Sequence, residues 1–276
     1  MNTSRKLKRS ILAWLFLSPF VLGALFPFAV MAITALKPAT EVLDPAWWPS
    51  DLQWRNFFDM WQGTGFGAAL ANSLYVSGLT TLVTILVAIP AAYGLSRYRF
   101  PGRGVFRQFL LVSQMLSPIV LVIGLFRLVA GIGLIDSLNT LVVIYVAFNI
   151  AFSVWMLQSY FATIPRDLEE AAWLEGAGHL RTLRSVFLPL AVPAAVVTAI
   201  FTFINAWNEF AIALTMLRRE DGYTLPLRIF SLVAGRYSVE WHYVMAAALV
   251  ASVPVAILFA ALQRFLVRGL ALGAVK

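Results

Sequence analysis

The 276-residue sequence contains no cysteine, which excludes disulfides, thiolate metal sites and cysteine nucleophiles. Charge is scarce as well. Asp, Glu, Lys and Arg make up 12% of the residues against 61% hydrophobic ones, where a soluble domain carries about 25% charged and about 45–50% apolar residues. A water-soluble core cannot absorb that much apolar surface, and the mean hydropathy of +0.82 points to a bilayer. Only two histidines occur, His179 and His242. Neither has a second ligand at useful spacing, so no metal site is expected. The chain lacks a GxxxxGKS/T run, the loop that cradles nucleotide phosphates. No nucleophile–base pair or paired-carboxylate set stands out at the end of any apolar stretch, which makes a membrane enzyme the least favoured class. A net charge of +8 would suit nucleic acid, but its distribution fits membrane topology better, and no nucleic-acid partner is expected.

What is present is length in the apolar runs. A spanning helix needs about 20 mainly apolar residues, and six stretches qualify: Ile11–Leu36, Leu70–Leu95, Val105–Leu128, Asn139–Leu157, Leu188–Leu214 and Tyr243–Leu266. The expected fold is an all-α membrane protein, a single domain over 1–276. The first stretch is longer than the apolar part of a cleaved signal peptide and shows no small-residue cleavage site, so it reads as a retained helix. Lys and Arg test the orientation. With the N-terminus cytoplasmic, the inner segments hold fourteen of the 21 basic residues, including Arg5, Lys6, Lys8, Arg9, Arg97, Arg99, Arg103 and Arg107, and the outer ones hold seven. That two-to-one bias places both termini inside. Trp47, Trp48, Trp54 and Trp61 fall on the outer segment, where Trp anchors helices at headgroup level.

Polar side chains within the stretches mark a second feature. Asn205, Asn208 and Glu209 fall at i, i+3 and i+4 and would share one helical face. An ionisable group at membrane depth costs about +2.5–3.5 kcal/mol on insertion scales and normally faces a polar interior. Glu209 is therefore expected to look toward a translocation path or a partner, with Gln114 and Asn149 as further candidates. The ordinary alternative is interhelical hydrogen bonding, worth about 0.6 kcal/mol on average. Pro19, Pro27, Pro90, Pro118, Pro193 and Pro254 each remove a backbone hydrogen bond, giving places to bend or break, or fixed kinks.

Between the fourth and fifth stretches lies the run from Ile164 to Arg181. Pro165 suits a first helical position, and Asp167, Glu169 and Glu170 complement the helix dipole. Ile164, Leu168, Ala171 and Ala172 fall at i, i+4, i+7 and i+8 and would share one face, and Gly176 and Gly178 end the helix. A short acidic helix on an anionic leaflet is a poor fit, and a protein partner with a basic or polar groove is a better one. Pro189 marks the return to the membrane.

Glu170-Ala171-Ala172, three residues, Gly176, nine residues, then Val186-x-Leu188-Pro189 resembles the EAA loop of bacterial ABC importer permeases, with Val for the usual Ile. The resemblance implies that this loop is a coupling helix docked in a cleft of an ATP-binding subunit, with Glu170, Ala171, Ala172, Glu175 and Gly176 in that interface. Asn72-Ser73, the run Pro90-Ala91-Ala92-Tyr93-Gly94-Leu95-Ser96-Arg97, and Trp207-Asn208-Glu209-Phe210 are similar to the MalG-like carbohydrate branch. So is Gln263–Leu270, a tail that in that branch reaches between the ATPase subunits, although Ala271-Leu272 departs from the pattern. The implied protein has the type I importer permease fold. It works with a second homologous permease subunit, two ATP-binding subunits that carry Mg-ATP, an extracytoplasmic solute-binding protein and the surrounding bilayer. It would bind no cofactor itself. Two other classes stay open: a proton-coupled secondary transporter, for which Glu209 alone could serve as relay, and a non-transporting scaffold that recruits a cytoplasmic partner.

Overall fold

The computed structural model describes residues 3–234 and 237–274, with side chains for 13–234, 237–263 and 265. The basic side chains at the N-terminus, Arg236 and the tail beyond 265 that resembles the MalG-like ending lie outside the described side chains. Among the described residues all regular structure is helical, and the chain divides into two compact units.

The first unit comprises Met1–Phe66 and Ile229–Val253. It begins with α1 (Thr3–Ala35), which runs through Pro19 and Pro27 without interruption. Its large apolar side chains, Trp14, Phe16 and Phe20 among them, are exposed, as suits a helix whose solvent is lipid. Helix ends leave four carbonyls without partners. Here the Asn56 amide, at the start of α2 (Arg55–Gly63), donates to the Ala35 and Lys37 carbonyls at 2.8 and 2.9 Å. Buried Lys37 folds the following loop by donating to the carbonyls of Asp44 and Ala46. Trp47, Trp48 and Trp54 remain exposed on that segment.

The second unit comprises Gly67–Arg228 and Pro254–Lys276. After α3 (Phe66–Arg97), the third apolar stretch departs from expectation. It is two helices, α4 (Arg103–Ser113) and α5 (Pro118–Gly131), bent by 96°. Pro118 has no N–H to continue a ladder and disfavours the helical conformation in the residue before it; Ser117 is extended, with φ −69° and ψ 132°. Next, α6 (Leu138–Phe161) is opened by Ser137, whose hydroxyl accepts from the Thr140 N–H. It is the most enclosed of the five unbroken candidate spans, with 56% of its apolar window buried, and it packs against both core clusters of the unit.

The loop run folds as α7 (Asp167–Leu174). A short α8 (His179–Thr182) then leads through a π-helical turn at Leu183–Phe187 into α9 (Leu188–Trp207). This apolar helix therefore begins at His179 rather than at Leu188, because Pro189 sits near the N-terminal end of α9, within an already continuous helix. It also ends early. Trp207 closes it, and a separate α10 (Ala211–Met216) follows. The last helices are α11 (Leu225–Ser231) and α12 (Trp241–Ala274), with the boundary between units falling at Pro254 of α12. Among the described residues five helices are long and apolar enough to span a membrane, or six if the bent pair is one span.

Candidate functional site

The two interrupted stretches meet at one cavity. It encloses about 280 Å³ and is lined by Ser113, Gln114 and Pro118 from the α4–α5 break, by Tyr145, Phe148, Asn149 and Phe152 of α6, and by Asn205, Ala206 and Glu209 around the α9–α10 break. A helix break frees backbone groups that lipid cannot satisfy, so such breaks survive only where protein or a polar cavity surrounds them. Four of the five membrane-depth polar candidates are thus brought together. Asn208 is not among them. Because α9 stops at Trp207, the expected common face of Asn205, Asn208 and Glu209 does not form, and Asn208 is exposed away from the cavity lining.

Glu209 organises the floor. Its carboxylate accepts the Tyr145 hydroxyl at 2.6 Å and the backbone N–H groups of Ile212 and Ala213 at 2.9 and 3.2 Å. Two orphan donors of α10 are therefore satisfied by a side chain just upstream of the helix. The Asn205 amide donates to Asn149 Oδ1 at 3.3 Å, and Asn149 donates to the Tyr145 carbonyl at 2.8 Å. Gln114 makes only a long contact, 3.5 Å, to the Phe148 carbonyl. Below, Ser153 and Thr202 meet at 3.2 Å between α6 and α9. The arrangement offers amides, a phenol and a carboxylate against the rings of Phe148 and Phe152.

The end of α10 is fixed by Asp136. This residue takes a left-handed backbone, φ 62°, which Asp tolerates better than most residues. Its N–H donates to the Met216 carbonyl at 3.0 Å. Its carboxylate accepts the N–H groups of Arg218 and Arg219. The Arg218 N–H is the main influence holding its carboxyl below the usual carboxylate range, with the Arg219 N–H and the two arginine charges adding to it. A depressed folded-state pKa favours the ionised form in the fold. The stabilisation is therefore complete above the unfolded value of about 3.9 and lost as pH falls through the folded one. Thermal melting in detergent is expected to show wild type losing stability relative to Asp136→Asn below about pH 4. Parallel curves over that range would show that the carboxylate contributes nothing.

The second site is α7. Glu169 is its buried residue. Ile164 and Pro165 precede the helix, and Leu168 and Ala171 are exposed. The reason is Arg97, whose Nε lies 3.5 Å from Glu169 Oε2 with both side chains 5% exposed. The turn of helix that faces outward therefore carries Glu170, Ala171, Leu174 and Glu175. Gly176 closes α7 with φ +79°. Its N–H donates to the Trp173 carbonyl and the Ala177 N–H donates to the Ala172 carbonyl, both at 2.9 Å. This pair of bonds is a Schellman closure, which needs a left-handed residue.

The family of binding-protein-dependent transport system inner membrane components matches residues 84–272, which include both helix breaks, the cavity and α7. The chain belongs to that family. The permease is 33% identical over 280 residues, 100% of each chain, to the inner membrane ABC transporter permease protein YcjP of Escherichia coli (strain K12). It is 37% identical over 211 residues, 76% of each chain, to the trehalose/maltose transport system permease protein MalG of Thermococcus litoralis. In fold it resembles a chain of a bacterial ABC transporter involved in the import of the acidic polysaccharide alginate. That likeness has a TM-score of 0.77 at 23% identity, over 96% of this permease and 98% of that chain. The permease is thus a multi-pass inner-membrane subunit of a binding-protein-dependent ABC importer.

Two functional groups of this permease escaped the sequence. Tyr145 lies in an unbroken apolar run and carries no spacing signal, yet its hydroxyl orders Glu209. Arg97 stands in the sequence as an inward-side charge and as the end of the Pro90–Arg97 run, neither of which shows that it pairs with Glu169 of α7.

Proposed function

We propose that this permease carries a carbohydrate inward through the cavity between its two broken helices. The observation that supports the reading is the composition of that cavity. Amide, phenol and carboxylate groups converge beside two phenylalanine rings, and uncharged hydroxylated rings are recognised by such a mixture of hydrogen-bonding groups and apolar faces. The sugar named for the Thermococcus relative points the same way. Of two ATP-binding subunits that hold Mg-ATP, one docks on α7 through Glu170, Ala171, Ala172, Glu175 and Gly176. A second, homologous permease completes the path, and both termini face the cytoplasm, in keeping with the bias of Lys and Arg. Because this chain lacks a phosphate-binding loop, hydrolysis belongs to the partners, whose nucleotide state biases two packings of the permease through differential contacts at α7.

The test is uptake by the reconstituted complex, supplied with ATP and a binding protein loaded from a panel of labelled disaccharides. Uptake and hydrolysis are expected to require the loaded binding protein, and Glu170→Lys is expected to abolish both gains. Uptake that follows a proton gradient without ATP would replace this reading with a secondary carrier. Loading and stimulation by a non-carbohydrate solute alone would overturn the substrate class.

A further inference from the structure

A buried polar junction lies where α7 leaves the bundle, and the cavity does not use it. Arg97, the last residue of α3, pairs with Glu169 of α7 at 3.5 Å. The same guanidinium donates to the carbonyls of Phe161, the end of α6, and Ile164, at 3.0 and 2.6 Å. It also lies 4.6 Å from the centre of the Phe187 ring, at the start of α9. Tyr93, one turn earlier on α3, donates to the other Glu169 oxygen at 2.9 Å, and its ring meets those of Phe187 and Phe161 edge-on. One arginine thus holds the ends of three long helices and the side of α7.

Stability alone does not account for such a pair, since replacing a buried ion pair by apolar residues of similar volume is often neutral or stabilising. What the pair adds is register. An apolar contact can slide, whereas shifting α7 against α3 would separate two charges inside the protein, away from water, and strip Arg97 of the carbonyls it serves. The helices held at this junction are those that line the cavity at their other portions: α6 through Tyr145 and Asn149, α9 through Asn205. A displacement of α7 is therefore transmitted to the cavity walls rather than absorbed at the root of the loop.

We propose that Arg97 and Glu169 are positioning residues that lock α7 to the cavity-lining helices, with Tyr93 orienting the carboxylate, so that the pair sets how much solute moves per ATP. This rests on the reading of α7 as the ATPase-docking helix. The test uses the reconstituted complex with loaded binding protein and compares solute moved per ATP hydrolysed. The double variant Arg97→Met with Glu169→Leu leaves no lone charge buried, so assembly and ATP hydrolysis are expected to persist. Solute per ATP is expected to fall about tenfold, within the roughly 5–150-fold range typical of coupled sites. A ratio within about twofold of wild type would overturn the proposal. Should the double variant not assemble, Tyr93→Phe decides, because it deletes the hydroxyl that donates to the carboxylate and keeps the ring. A lowered ratio at unchanged melting temperature supports the lock, and an unchanged ratio overturns it. If wild type itself shows no ATP-dependent uptake, it is the docking reading that has failed, and the two failures are separated.

Discussion

Glu209→Ala is expected to cut uptake by about a hundredfold, whereas Glu209→Gln keeps it within about fivefold of wild type. The alanine removes an acceptor from three donors at once: the Tyr145 hydroxyl and the N–H groups of Ile212 and Ala213. Hydrogen bonds to a charged group contribute about 1.5–3 kcal/mol each, and losing a helix cap costs about 0.5–2 kcal/mol. Part of this is recovered as water enters the cavity. Even a residual of about 2.7 kcal/mol is a hundredfold loss of the competent arrangement. The glutamine has a different balance. Its carbonyl oxygen, in the place of Oε1, continues to accept the Ile212 N–H, while its NH2, in the place of Oε2, turns to the Tyr145 oxygen, which can accept as well as donate. Only the longer bond from Ala213 is given up. The pair of variants, assayed for uptake in proteoliposomes with loaded binding protein and ATP, separates the geometry of the site from its charge. A glutamine as impaired as the alanine would mean that the negative charge itself is required, and the account of Glu209 as an acceptor that starts α10 would fail.

The same residue shows what the sequence carried and what it did not. Six apolar stretches were legible because lipid imposes length on a spanning helix. Within them a hydropathy window averages across a break of three or four residues, so Asn208–Phe210 and Gln114–Ser117 leave no mark on it. Pro118 gave a reason to expect a bend, but Pro90, Pro193 and Pro254 gave the same reason and lie inside uninterrupted helices. What distinguishes Pro118 is Ser117 adopting the extended backbone at a place where α6 and the α9–α10 break supply polar groups, and that is tertiary information. Glu209 drew notice as a costly charge at depth and Asn205 as its neighbour, and both line the cavity. Grouping Asn208 with them assumes that helical periodicity continues, whereas α9 ends at Trp207. At α7 the acidic turn and the terminal glycine were readable from local rules. Which acid turns inward was not, since it is decided by Arg97 from a distant helix.

Gly176→Val is expected to lower ATP-driven uptake at least tenfold, and Gly176→Asn marks the cause. At φ +79° a side-chain-bearing residue pays for the left-handed conformation whatever room surrounds it, roughly 1–2 kcal/mol for an ordinary residue and more for a β-branched one. Room is available, since a Cβ placed there meets nothing within 4 Å in this chain. Valine therefore acts on the backbone. It opposes the two bonds that close α7, Gly176 to Trp173 and Ala177 to Ala172, and so unwinds the outward turn bearing Glu170 and Glu175. Asparagine tolerates the left-handed region and serves at the same helix-ending position in other proteins, so it keeps the closure while adding a side chain. With α7 closed in both wild type and Gly176→Asn, uptake near wild type shows that conformation is all the glycine supplies. An asparagine variant that melts like wild type yet transports as poorly as valine shows something further. As a Cβ at this position meets nothing within 4 Å in this chain, that outcome would support the proposed docking, with the glycine letting the backbone of an ATP-binding subunit come close.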